Sequence, residues 1–105
     1  MTDNLAIMDR TDYSILPSHM QEGAKLYVQR GIRPGRFLFN ILRNDFVSAA
    51  CCADQVNMRS LDAWARFLYN APAMCWGDDD RVNKWIEFGG LEGLPTYQEL
   101  QHAQR

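Results

Sequence analysis

Residue types that carry catalysis are scarce in this sequence. It holds two histidines, His19 and His102, and three cysteines, Cys51, Cys52 and Cys75. No HExxH, CxxC, GxSxG or phosphate-loop pattern occurs, so the spacings that place a zinc-ligand pair, a redox dithiol or an activated serine are missing. No nucleophile–base pair is legible, and the expectation is a protein that is not an enzyme, with no cofactor and no metal. The odd set of cysteines lacks metal-ligand spacing. Cys51 and Cys52 lie in "SAACCAD", among small residues, and read as reduced packing residues inside a helix, in keeping with a reducing compartment. No stretch approaches the roughly 18 consecutive apolar residues of a spanning helix. The opening "MTDNLAIMDRTDYS" lacks the basic start and apolar centre of a signal peptide. These readings predict a soluble chain of the cytoplasm with no membrane partner.

Net positive charge is missing as well: 11 Lys and Arg against 13 Asp and Glu leave −2 at pH 7. Duplex binders are normally basic, so no specific nucleic-acid partner is expected. The cations that exist are nevertheless clustered. Residues 23–43 contain Lys25, Arg30, Arg33, Arg36 and Arg43 and no acid. The centre of that window, "RGIRPGRFL", wraps three arginines around a Gly/Pro turn.

Strand signals are absent too, and helical periods fill the space. At 105 residues with 47% hydrophobic content, the chain suits one domain with a single core. Residues 1–15 show no sustained period and read as an N-terminal arm. Leu16-Pro17 opens a helix that runs to Arg30, where Gly31 supplies a left-handed stop. A second helix starts at Pro34-Gly35 with Phe37, Leu38, Ile41 and Leu42 on one face, is kinked or broken at Asn44-Asp45, and continues its stripe through Val47, Ala50, Cys51 and Val56. Ser60 caps a third helix with Leu61, Trp64, Ala65 and Leu68 inward. After the loop "NAPAMCWGDDD", Asp78, Asp79 and Asp80 suit the positive end of a last helix that carries Val82, Trp85 and Ile86 and stops at Gly89-Gly90. Residues 91–105 read as a polar tail with a weak helix from Thr96. The predicted fold is all-α: about four helices over residues 16–90, with a kinked middle helix. Phe39, Phe46, Phe67 and Tyr69 lie off the inward stripes, and such a surplus of apolar side chains predicts a partner face, met most simply by a homo-oligomer.

The basic turn admits two readings. A helix start beside arginines can seat a phosphate, or the turn is a solvated corner that pairs with the acidic run of another helix. Tyr27 lies three residues before Arg30, on the same helix face, where tyrosine can stack on a base or line the edge of the core. Trp64, Trp76 and Trp85 read as core or interface.

The order of landmarks adds a further expectation. "LPSHMQEGAKLYVQRGIRPGRFLFNILRND", followed by Ala53-Asp54, Asn57, Leu68-Tyr69, Trp76-Gly77, Trp85-Ile86 and Gly89-Gly90, resembles a family of small phage proteins over residues 16–90. The family includes phage anti-CBASS proteins that act as sponges for cyclic oligonucleotide messengers. The resemblance implies a helical homo-oligomer, commonly a hexamer, that acts in the cytoplasm of an infected bacterium. Such proteins sequester cyclic dinucleotides, and in some members cyclic trinucleotides, without cleaving them, so that an antiviral effector stays silent. It also implies ligand-binding roles: Tyr27, Arg30, Arg33 and Arg36 for stacking and phosphate contacts, and Asn44 and Asn70 for base edges or ribose. Two other classes remain open on the residues: a protein–protein antagonist of a host enzyme acting through the aromatic face, and a small helix–turn–helix DNA binder using the segment after Pro34.

Overall fold

Helix starts and stops in this chain are set by short-range chemistry, and the structure, a computed structural model, follows them closely over the residues it describes, 9–95. The α-helices are α1 (Ser18–Arg30), α2 (Arg36–Leu42), α3 (Phe46–Cys52), α4 (Gln55–Arg59), α5 (Leu61–Asn70) and α6 (Asp79–Phe88), and residues 90–95 are again helical. Single 3₁₀ turns at Tyr13–Ile15 and Ala73–Cys75 precede α1 and α6. The described residues contain no strand, so the chain is all-α.

Pro17 stands immediately before α1, and Gly31 ends it in the left-handed region at φ 69°. Aspartates start the later helices: the side chains of Asp45, Asp54 and Asp78 accept hydrogen bonds from the N–H groups of Ser48, Asn57 and Arg81. Each bond satisfies a donor that the first helical turn leaves unpaired. Ser60 occupies the corresponding place before α5 without a side-chain bond. The middle helix is therefore divided further than its periodicity predicts. Asn44, at φ 66°, ends α2, and Asp54 starts α4 after a second break at Ala53.

The core is built around large side chains whose polar atoms find partners. Trp64, Trp85, Tyr27 and Phe67 are almost wholly buried, and each such burial contributes about 1.5–3 kcal/mol. The Trp85 indole N–H donates to the Tyr27 carbonyl at 3.0 Å, and the Tyr27 hydroxyl donates to the Cys75 carbonyl at 2.6 Å. These two bonds tie α6, α1 and the Ala73–Cys75 turn together. Trp64 donates to Asn57 Oδ1 at 3.3 Å and packs edge-on against Phe37 and Phe67. The backbone at the C-terminus of α1 also meets the chain at the end of α6: a Cβ on Gly90 would lie 2.5 Å from the Gly31 nitrogen, and one on Gly31 2.7 Å from the Trp85 carbonyl oxygen.

Several expectations are corrected. The segment before Leu16 is no loose arm from Asp9 onward: Thr11 is buried, Tyr13 packs against Phe67, and Asp9 accepts hydrogen bonds from the Tyr13 hydroxyl and Gln29. Leu91 is buried in the same core, so the packed body continues past Gly90; the helix expected from Thr96 lies outside the described residues. Cys51 and Cys52 are exposed rather than inside the core, with the Cys52 sulfur 3.8 Å from the Asn40 amide nitrogen. On α5 Trp64 is buried as expected and Leu61 and Leu68 are half-buried, but Ala65 is exposed, and Ala63 and Phe67 are buried instead, because the 3₁₀ turn before α1 packs on Phe67 and draws that side inward. Among the described residues no helix is long and apolar enough to cross a membrane.

Candidate functional site

The α1–α2 turn presents the expected arginines at the surface, between two segments anchored in the core. Gly31 is buried where the chain leaves α1, and its N–H bonds to the Tyr27 carbonyl at 2.9 Å. Phe37 and Leu38 anchor the start of α2 in the core. Between these anchors Arg33 and Arg36 are exposed. Arg33 lies over the Phe39 ring with its guanidinium carbon 4.0 Å from the centroid. Arg36 and Arg33 have no carboxylate partner among the described residues. Arg30 sits at the end of α1, 3.6 Å from Glu92, in a pair with both side chains more than half exposed. A pair of that kind is weak and readily exchanged. The corner therefore offers two uncommitted guanidinium groups and a third loosely held one, an arrangement that suits an anion with several charged oxygens.

One expected member leaves the set. Tyr27 is 0% exposed, and burial followed by the nearby Cys75 raises its phenol well above the usual range. Its ring belongs to the core and offers no stacking face, because the helix turn that shares a face with Arg30 is the one covered by Trp85 and Cys75. Arg43, the last cation of the acid-free window, is committed: its Nε donates to Asp79 Oδ1 at 2.6 Å and its Nη1 to Asn40 Oδ1 at 3.0 Å. The hydrogen bond with Asp79 raises its already high pKa further. The acidic run before α6 thus neutralises this arginine, while Asp78 caps the helix and Asp80 reaches Lys84 at 3.4 Å.

The asparagines do not join the arginine corner within one protomer. Asn44 lies just past the far end of α2, a helix about 10 Å long at 1.5 Å per residue that separates it from Arg36. It borders an apolar cavity of about 280 Å³ against Ile41, Phe46, Leu61 and Leu68. Asn70 closes α5 by donating to the Arg66 carbonyl at 2.9 Å, and it is exposed. Of the four off-stripe aromatics, Phe67 is core and Phe39 lies beneath arginines, while Phe46 and Tyr69 are 61% and 86% exposed. Sequence reasoning missed that Phe39 serves the basic turn. Part of the signal was there in its spacing, one helical turn before Arg43, whereas Arg33 reaches the ring across the turn, six residues away.

Elsewhere, His19 meets Asp54 at 3.0 Å, both side chains being about half exposed. Hydrogen bonding from the Asn57 N–H, and more weakly from His19, holds the Asp54 carboxyl below its usual range against the opposing effect of desolvation. The described residues contain no group of three or more His, Cys, Asp or Glu side chains placed to hold a metal ion. Phe37 and Leu38 are buried, so the start of α2 turns its apolar side to the core and leaves Arg36 at the surface. Comparison with protein-family profiles, with curated proteins and with solved structures finds no match for this chain.

Proposed function

We propose that this chain is a phage-encoded sponge that binds cyclic oligonucleotide messengers without cleaving them, and so blocks bacterial antiviral signalling in the infected cytoplasm. The observation that carries the reading is the pair Arg33 and Arg36, exposed on the α1–α2 turn and free of carboxylate partners among the described residues, in a chain of net charge −2. Acidic neighbours would have neutralised a merely structural corner, as Asp79 neutralises Arg43. A cyclic di- or trinucleotide carries one charge per phosphate, and each phosphate suits one planar guanidinium.

The ligand seat is completed between copies. Within a protomer Phe39 is the ring recorded beneath Arg33, and the Asn70 amide already donates to the Arg66 carbonyl. Symmetric assembly, a hexamer in this proposal, converges several arginine corners and brings Asn44 and Asn70 of other copies towards them. It also covers Phe46 and Val47, 61% and 71% exposed, together with Val56 and Met58 on the next helix.

The test is native mass spectrometry with a panel of cyclic di- and trinucleotides, followed by heat release and identification of intact ligand. The expected result is a homo-oligomer with retained, uncleaved ligand, and loss of that ligand in Arg33→Ala/Arg36→Ala. Retention of no cyclic nucleotide, with no thermal shift for any of them, defeats the proposal. The protein-antagonist reading is favoured instead if the double arginine variant keeps full anti-defence activity.

A further inference from the structure

Two guanidinium groups converge on one ring: the Arg33 Cζ lies 4.0 Å from the Phe39 centroid and the Arg43 Cζ 5.6 Å from it. The two cations differ in what else holds them. Arg43 is fixed from two sides by Asp79 and Asn40, at 2.6 and 3.0 Å, whereas Arg33 has no carboxylate partner among the described residues. Phe39 itself is half-buried on α2, so its ring is held by the core and turned to the basic corner.

We infer that Phe39 is a positioning residue for Arg33, holding its guanidinium in the geometry that receives a ligand phosphate; this rests on the sponge reading above. An arginine on an exposed turn samples many rotamers, and ordering it when ligand arrives opposes binding. The negative face of an aromatic ring selects the rotamers that keep the cation on it. A guanidinium carbon in van der Waals contact with the ring centre leaves the N–H groups at its edge to an incoming anion. Asp79 completes the device. Two like charges on one ring repel, and the carboxylate neutralises Arg43 so that Arg33 keeps its place. The acidic run at the start of α6 thereby supports the anion site that it would otherwise oppose.

The experiment measures affinity for cyclic di-adenylate, cyclic di-guanylate and cyclic tri-adenylate by calorimetry, with the full chain and with Phe39→Leu, Phe39→Trp and Arg33→Ala. Phe39→Leu keeps an apolar side chain on the core but removes the ring face, and it is expected to weaken binding about fivefold, the effect of losing one exposed cation–π contact. Phe39→Trp is expected to restore affinity, which a purely structural role does not predict. The Arg33 δ-protons, shifted upfield by the ring in the proton NMR spectrum, are expected to return to ordinary positions in Phe39→Leu. Equal affinity of Phe39→Leu and the parent, with binding abolished in Arg33→Ala, overturns the positioning role and leaves the sponge reading intact. Undiminished binding by Arg33→Ala likewise overturns the positioning role alone, and no binding of any probe by the parent overturns the sponge reading with it.

Discussion

The C-termini of α1 and α6 meet so closely that three glycine substitutions should give effects of different sign and size. At Gly31 a Cβ would lie 2.7 Å from the Trp85 carbonyl oxygen and 2.8 Å from the Gly90 nitrogen, with the backbone at φ 69°. Alanine there carries the left-handed penalty of about 1–2 kcal/mol. It also overlaps backbone atoms of α6, which move only if the helix shifts, adding about 1–3 kcal/mol. Gly89, at φ 93°, bears the conformational penalty alone, since the nearest atom to its Cβ would be 3.7 Å away. Gly23 lies within α1 with open space within 4 Å of where an alanine methyl would stand, so alanine there removes backbone freedom from the unfolded chain without a clash. Thermal and urea melts of the three variants should rank them clearly. Gly23→Ala gains about 0.5–1 kcal/mol, Gly89→Ala loses about 1–2 kcal/mol, and Gly31→Ala loses about 2–5 kcal/mol. For a domain of this size the last corresponds to a melting temperature lower by about 10 °C or more. A Gly31→Ala variant that melts no lower than Gly89→Ala would refute the close backbone contact between α1 and α6.

Two further outcomes follow from the caps and the thiols. Hydrogen bonds from the backbone and side chain of Ser48 lower the Asp45 pKa, as the Asn57 N–H lowers that of Asp54. Since both folded values lie below the unfolded ones, this stability is full above the ordinary carboxylate value of 3.8 and is lost as pH falls through the folded pKa values. Urea midpoints measured against pH should therefore fall on the acid side of that value, and Asp45→Asn should flatten part of the slope; an unchanged slope refutes the cap. Cys75 is buried, and burial pushes its thiol up to about 12, while Cys51 and Cys52 are exposed. A thiol-reactive chromophore at about pH 8 should accordingly label those two in the folded chain and Cys75 only after unfolding, and rapid labelling of all three without denaturant would contradict the packing.

Much of the helical plan is local chemistry and could be read directly. Pro17, Gly31, Asp45, Asp78 and Gly89 each satisfy or release backbone groups within about one turn of themselves, so the ends of α1, α3 and α6 were legible. Asp54 repeats the Asp45 signal, but the apolar stripe running through it disguised the second break. The surface arginines were legible for a similar reason: a Gly/Pro turn holds its side chains outward whatever packs beneath it.

What the sequence by itself determined, then, is where helices begin and end and where charge collects. The tertiary structure decided which faces are buried and which charges are spoken for. Tyr27 and Arg30 share a helix face, yet only contacts with Cys75 and Trp85, 48 and 58 residues away from Tyr27, place the first in the core and leave the second outside. Arg43 looks like its neighbours in the acid-free window until Asp79, 36 residues on, claims it. Capping and turn formation involve a few neighbouring backbone groups, whereas burial and ion pairing depend on partners that only the packed chain brings within reach.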